Sequence, residues 1–168
     1  MTQDTAFGQA ATFNTDVGFS LAVSPDKKAF TATFGGLEVV IQGTSDAPIA
    51  TRVFSFSIPL AGAVPGQEIP FTVQGHSASE KEATAHLVFS VNDQTTVVDF
   101  PVNSEASFVQ QFKYKAGNAA DARITVFLLA NRDTRSDAGV QVNVATIDAE
   151  LGQWSAIPTE KVRGVEQV

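Results

Sequence analysis

The chain has 168 residues, a formal net charge of −7 and no cysteine, which describes one ordinary domain and excludes disulfide frameworks, zinc–thiolate sites and cysteine nucleophiles. Hydrophobic residues make up 43% and charged residues only 17%, so the chain is globular rather than disordered. Its 11 lysines and arginines are scattered, without the concentrated basic stripe that nucleic acid requires, and no apolar run approaches the roughly 20 residues of a membrane-spanning helix.

Residues 1–15 are rich in Ala, Thr and Gln and read as an arm. Met1–Thr5 lacks the basic and apolar regions of a leader peptide. The chain is therefore cytoplasmic or, in the preferred reading, extracytoplasmic with its leader removed. From Val17 onward the hydrophobic pattern has period two, the signature of half-buried strands. Residues 17–23 place Val17, Phe19, Leu21 and Val23 on one face. Ser24–Lys28 then turns the chain, with Pro25 presetting φ. Residues 29–34 follow with Phe30, Ala32 and Phe34, and Gly35-Gly36 predicts a hairpin into Leu37, Val39 and Ile41.

After a loop at 44–48, residues 51–60 alternate Phe54, Phe56, Ile58 and Leu60 against Val53, Ser55 and Ser57. Ala61–Gly66 is a Gly/Pro connection. Residues 67–75 show Ile69, Phe71 and Val73 on one face, and His76–Lys81 reads as a polar loop. Residues 82–91 carry Ala83, Ala85, Leu87, Phe89 and Val91, and Asn92-Asp93-Gln94 turns the chain into 95–102. Residues 106–115 offer Phe108, Phe112 and Tyr114. Residues 122–130 contain Ile124, Val126 and Leu128 on one face. Asn131–Gly139 is a polar loop before 140–149, where Val140, Val142 and Val144 alternate with polar neighbours. Residues 153–168 read as a second arm.

This pattern predicts a single all-β domain: an antiparallel two-sheet β-sandwich of about eight to ten strands, jelly-roll or immunoglobulin-like. Its layout resembles small secreted bacterial β-sandwich domains in general. Thirteen Phe against one Trp and one Tyr suit a phenylalanine-packed interior, since Phe has no polar handle.

Few residues stand out as a site, and none as catalytic. His76, Glu80 and His86 have metal-ligand chemistry, yet alternation turns His86 outward and leaves His76 in a loop, where solvated side chains are the simpler reading. Asp133 and Asp137 in the 131–139 loop loosely match the alternate oxygen ligands of a calcium site, but Arg135 stands where an oxygen belongs and the bidentate Glu is missing. Without calcium there, no cofactor is expected. Gly-x-Ser-x-Gly does not occur. Trp154, just past the last strand, is read as a plug at the end of the sandwich or an exposed stacking platform.

The most informative anomaly lies in residues 124–129, where Phe127 and Leu129 give the strand a second apolar face. That face needs a cover, either an arm of this chain or another subunit. Phe127, Leu129 and Trp154 therefore form the expected interaction surface. The function read from this is a non-catalytic interaction or assembly module, with a protein partner or self-association. A carbohydrate-binding, lectin-like module with a glycan partner is the alternative by analogy of fold, and an unrecognised hydrolase comes third.

Overall fold

The computed structural model describes residues 5–8, 11–12, 17–43 and 46–151, which form strands and no helix. The strands are β1 (Ala6–Phe7), β2 (Ala11–Thr12), β3 (Gly18–Val23), β4 (Ala29–Gly35), β5 (Glu38–Ile41), β6 (Ile49–Ala61), β7 (Glu68–Ser79), β8 (Ala83–Val91), β9 (Gln94–Asp99), β10 (Ser104–Lys115), β11 (Asp121–Arg132) and β12 (Val140–Glu150). One sheet has the order β1-β6-β11-β8-β9, with β2 also on β6; the other has the order β10-β7-β12-β4-β3, with β5 also on β12. Every pairing is antiparallel.

The topology is a jelly roll. The first half of the chain pairs with the second in nested order: β4 with β12, β6 with β11, β7 with β10 and β8 with β9. Connections after β5 therefore mostly cross from one sheet to the other. Tight hairpins remain between β3 and β4 and between β8 and β9, where Asn92 takes a positive φ of 54°.

The inner faces of the two sheets make one core. Phe54, Phe56, Leu87, Phe89, Ile124, Val126 and Leu128 meet Phe30, Phe34, Phe71, Val73, Val142 and Ile147 across it. The rings contact at offset and edge-to-face angles, as in Phe7–Phe30 at 4.7 Å and 79° and Phe89–Phe112 at 5.5 Å and 78°, the geometry that aromatic quadrupoles favour. Tyr114 is buried, and its hydroxyl accepts a hydrogen bond from Asn92 Nδ2 at 2.7 Å. Among the described residues, Arg132 is the buried cation. Its guanidinium donates to the carbonyls of Ala138 (3.0 Å), Asp46 (3.1 Å) and Gly43, holding two loops together at one end of the sandwich.

Three expectations change. Gly35-Gly36 is not a hairpin: β4 and β5 lie end to end along the same edge of β12. Buried positions run Phe30, Ala32, Phe34 and then Leu37, Val39, Ile41, so the alternation slips by one residue at Gly36 (φ 82°). β12 slips at the same level, where its register on β7 shifts between Val144 and Thr146; Val144 N–H donates to Leu37 O at 3.0 Å. Two adjacent bulges thus keep both strands in phase. Second, His76–Ser79 is strand, since β7 pairs with β10 as far as Ser79↔Ser104. Third, part of residues 1–15 is sheet. Phe7 pairs with Leu60 and is buried in the core.

Candidate binding face

On the outer face of the first sheet, register places four apolar side chains side by side. Phe127 of β11 stands opposite Val53 of β6 and Val88 of β8, and Val88 stands opposite Val97 of β9. Alternation dictates this: each residue is flanked by inward neighbours, such as Val126 and Leu128 around Phe127. Val53 is 43% and Val97 58% exposed, while Phe127 and Val88 are half-buried. Every other described phenylalanine belongs to the core or packs against it. Phe127 is the exception, and it lies at the centre of a sheet rather than at a loop.

The neighbouring rows are mostly polar. Leu129 stands opposite Thr51 and His86, and His86 opposite Asp99; His86 Nδ1 and Asp99 Oδ1 are 2.6 Å apart. On the other side, Thr125 stands opposite Ser55 and Ser90, and its hydroxyl hydrogen-bonds that of Ser55 at 2.8 Å. Further along, Thr84 Oγ1 donates to Asn131 Oδ1. The face is an apolar row framed by hydroxyl, amide, imidazole and carboxylate groups. Its strands hold 13, 12, 9 and 6 residues, which at about 4.8 by 3.3 Å each give it roughly 630 Å².

The second sheet presents a different outer face. Asp148 accepts from Thr31 Oγ1 at 2.5 Å and from Gln74 Nε2 at 3.4 Å. His76 lies 3.4 Å from Glu105, and Asn143 Oδ1 accepts from the backbone N–H of His76 at 3.1 Å. This face is polar throughout its centre.

The sequence-derived candidates are therefore distributed as follows. Phe127 and Leu129 share the first outer face, half-buried by same-face neighbours rather than fully covered. His76 and His86 sit on opposite outer faces of the sandwich, so the His76–Glu80–His86 ligand set does not converge. Glu80 instead accepts a hydrogen bond from Gly139 N at 2.5 Å. Asp133 and Asp137 belong to a solvent-facing loop. Asp133 Oδ1 accepts from Arg135 N at 2.9 Å, and Asp133 O from Ser136 N at 3.0 Å, so that the Asp133 carboxylate closes a turn. Among the described residues, no three His, Asp or Glu side chains are grouped to hold a metal ion. Trp154 lies outside the described residues. Val88 and Val97 were missed as members of the face; their outward phase in β8 and β9 was the available signal. Among the described residues no helix is long and apolar enough to cross a membrane.

No protein-family model matches the sequence, and no curated protein does. Solved structures share the layered arrangement at low scores. The carbohydrate-binding module TmCBM61, in complex with β-1,4-galactotriose, is 10% identical with a TM-score of 0.36, covering 80% of this chain and 88% of its own. A family 16 carbohydrate-binding module is 10% identical with a TM-score of 0.31, covering 77% and 86%. The GH31 α-xylosidase of Xanthomonas citri is 11% identical with a TM-score of 0.28, and the matched part is 20% of that chain. These values carry neither a residue nor a ligand across.

Proposed function

We propose that the chain is a non-catalytic interaction module that associates through the outer face of the β6-β11-β8-β9 sheet, a second copy of itself being the first occupant. The observation that carries this reading is the row Val53–Phe127–Val88–Val97. An apolar centre framed by polar groups is how protein contacts are built. A face of roughly 630 Å² is of the order of the about 800 Å² per partner of a standard interface. A phenylalanine and three valines that face outward side by side make a contiguous apolar row, and such rows invite association.

A second reading, carbohydrate binding, is favoured by a particular feature of the same face. The Phe127 row runs next to the row that holds the His86–Asp99 pair, an apolar surface near hydrogen-bonding groups, which is the combination a sugar ring with its hydroxyls takes. Carbohydrate is also the ligand class in the names of the binding modules above. Phe127→Asp separates the readings. Self-association predicts a wild-type oligomer by light scattering that the substitution dissociates, with no titration heat from β-1,4-galactotriose or from soluble glucans. Glycan binding predicts a monomer whose titration heat the substitution removes. A monomer inert to both probes contradicts the two together.

A further inference from the structure

The row next to Phe127 on the same outer face holds one of the chain's two histidines. His86 Nδ1 and Asp99 Oδ1 are 2.6 Å apart, joining β8 to the edge strand β9 that also carries Val97. Register sets the other neighbours of the imidazole. Leu129 of β11 stands opposite, with Thr51 of β6 beyond it. The row on one side is Val53, Phe127, Val88 and Val97; the row on the other is Ile49, Asn131 and Thr84. Asp99 is thus the one titratable or charged side chain that accompanies His86 in these three rows. The His86 side chain is 27% exposed and that of Asp99 is 73% exposed, so water solvates the carboxylate in the single chain.

We propose that proton uptake by His86 switches on association through this face, so that dimerisation strengthens as the solution turns acid through the histidine range. The inference rests on the association reading above and adds its control. An imidazole gains its proton between about pH 8 and about pH 5. With His86 neutral, the His86–Asp99 pair carries one net negative charge beside the apolar row. Docking a second copy takes that carboxylate out of water and brings a second carboxylate to the same interface. A charge removed from water without an opposite partner is costly, and like charges in one contact repel. With His86 protonated, both ring nitrogens are donors. Nδ1–H then donates to the carboxylate within an ion pair of zero net charge. Burying that pair costs less than burying an uncompensated carboxylate. The dimer therefore holds the His86 proton more tightly than the monomer does, and by reciprocity the proton tightens the dimer. The added stability is complete below the titration of the monomer's histidine and is lost as pH rises through that of the dimer's.

Sedimentation equilibrium of the full chain at moderate salt, which screens net charge, tests the switch. The pH series runs from about pH 8 to about pH 5.5, above the sequence pI of about 4.7. The wild-type dimerisation constant is expected to rise about tenfold, the change when the two histidines of a dimer together hold their protons one pH unit more tightly. His86→Gln keeps a donor for Asp99 but takes up no proton, and its dimer is expected to stay at the weak alkaline value throughout. His76→Gln, on the opposite face, is expected to keep the wild-type response, which separates the switch from a general loss of negative charge. Asp99→Asn makes the pair neutral in alkali and positive in acid, so its dimer is expected to be tighter in alkali and weaker in acid, the reverse of the wild type. A dimerisation constant that ignores pH, or a response that survives His86→Gln, overturns the switch and leaves association through the face standing. So does an Asp99→Asn response of the wild-type sign. A chain that is monomeric at every pH overturns both the switch and the association it controls.

Discussion

Gly75 shows how far one position constrains this sandwich. It lies in β7 opposite Phe108 of β10 and Val144 of β12, beside the β12 bulge. A Cβ built there meets Asn143 O at 2.0 Å and Phe108 Cζ at 2.7 Å. The first contact is backbone, so the strand itself must move. Gly75→Ala is expected to lower stability by about 3 kcal/mol or more, the upper range for overpacking, read as a shift in the urea midpoint. Gly35→Ala is the control. Its nearest neighbour would be Gly18 Cα at 4.0 Å, and little change is expected. A second residue-scale expectation concerns Asp26. The Ser24 hydroxyl donates to its carboxylate at 2.6 Å, and the Lys28 N–H donates at 3.1 Å. The Ser24 bond first, with the Lys28 bond and charge behind it, holds the Asp26 carboxyl below its usual value of 3.8. A depressed folded pKa stabilises the fold above the unfolded value and loses that contribution as pH falls through the folded one. Asp26→Asn is therefore expected to flatten the acid limb of a stability–pH curve below about pH 4, and only slightly, because the site is exposed. An unchanged acid limb would show that the turn contributes no linkage.

At the scale of elements, period-two alternation carried most of the reading, and it failed where two strands change phase together. Most of the strands from β3 onward and the inward positions of Phe54, Phe56, Phe89 and Leu128 follow from alternation, and the Ser24–Lys28 and Asn92–Gln94 turns from their turn residues. Gly35-Gly36 looked like a hairpin because both a turn and a bulge call for glycine at positive φ. What distinguishes them is the partner strand, and β12 lies far along the chain. His76–Ser79 looked like a loop because polar residues on an outer face and in a loop have the same composition. For the candidate site, Phe127 and Leu129 were legible as an outward pair, whereas the alignment of Phe127 with Val53, Val88 and Val97 depends on register between strands distant in sequence. The paired bulges make a sharp prediction. Deleting Gly36 alone, or Ala145 alone, removes one irregularity and leaves the other, so that the β4–β5 edge and β12 no longer match in register. Each deletion is expected to unfold the protein or cost several kcal/mol. Deleting both restores strict alternation in both strands, and the double mutant is expected to be more stable than the sum of the two losses. Additive losses, measured by thermal denaturation, would show that the two irregularities are independent.

At the scale of the whole molecule, the jelly roll leaves two broad outer faces of contrasting chemistry. The β10-β7-β12-β4-β3 face is polar at its centre, where Asp148 accepts from both Thr31 and Gln74. The β6-β11-β8-β9 face carries the only outward-facing phenylalanine among the described residues. A net charge of −7 opposes close approach of two copies at long range, and salt weakens that repulsion. Association through an apolar row is therefore expected to strengthen, not weaken, as ionic strength rises. Sedimentation equilibrium over a concentration series at moderate salt is the most direct measurement of the central claim, with Val97→Lys as the comparison. Val97 is 58% exposed on an edge strand, so the substitution costs the fold little while placing a charge in the row. The account predicts a wild-type mass that climbs from the 17.7 kDa of the single chain toward twice that value, and a Val97→Lys mass that stays at the monomer. A wild-type protein that remains monomeric at every concentration, or an oligomer that Val97→Lys leaves intact, would contradict it.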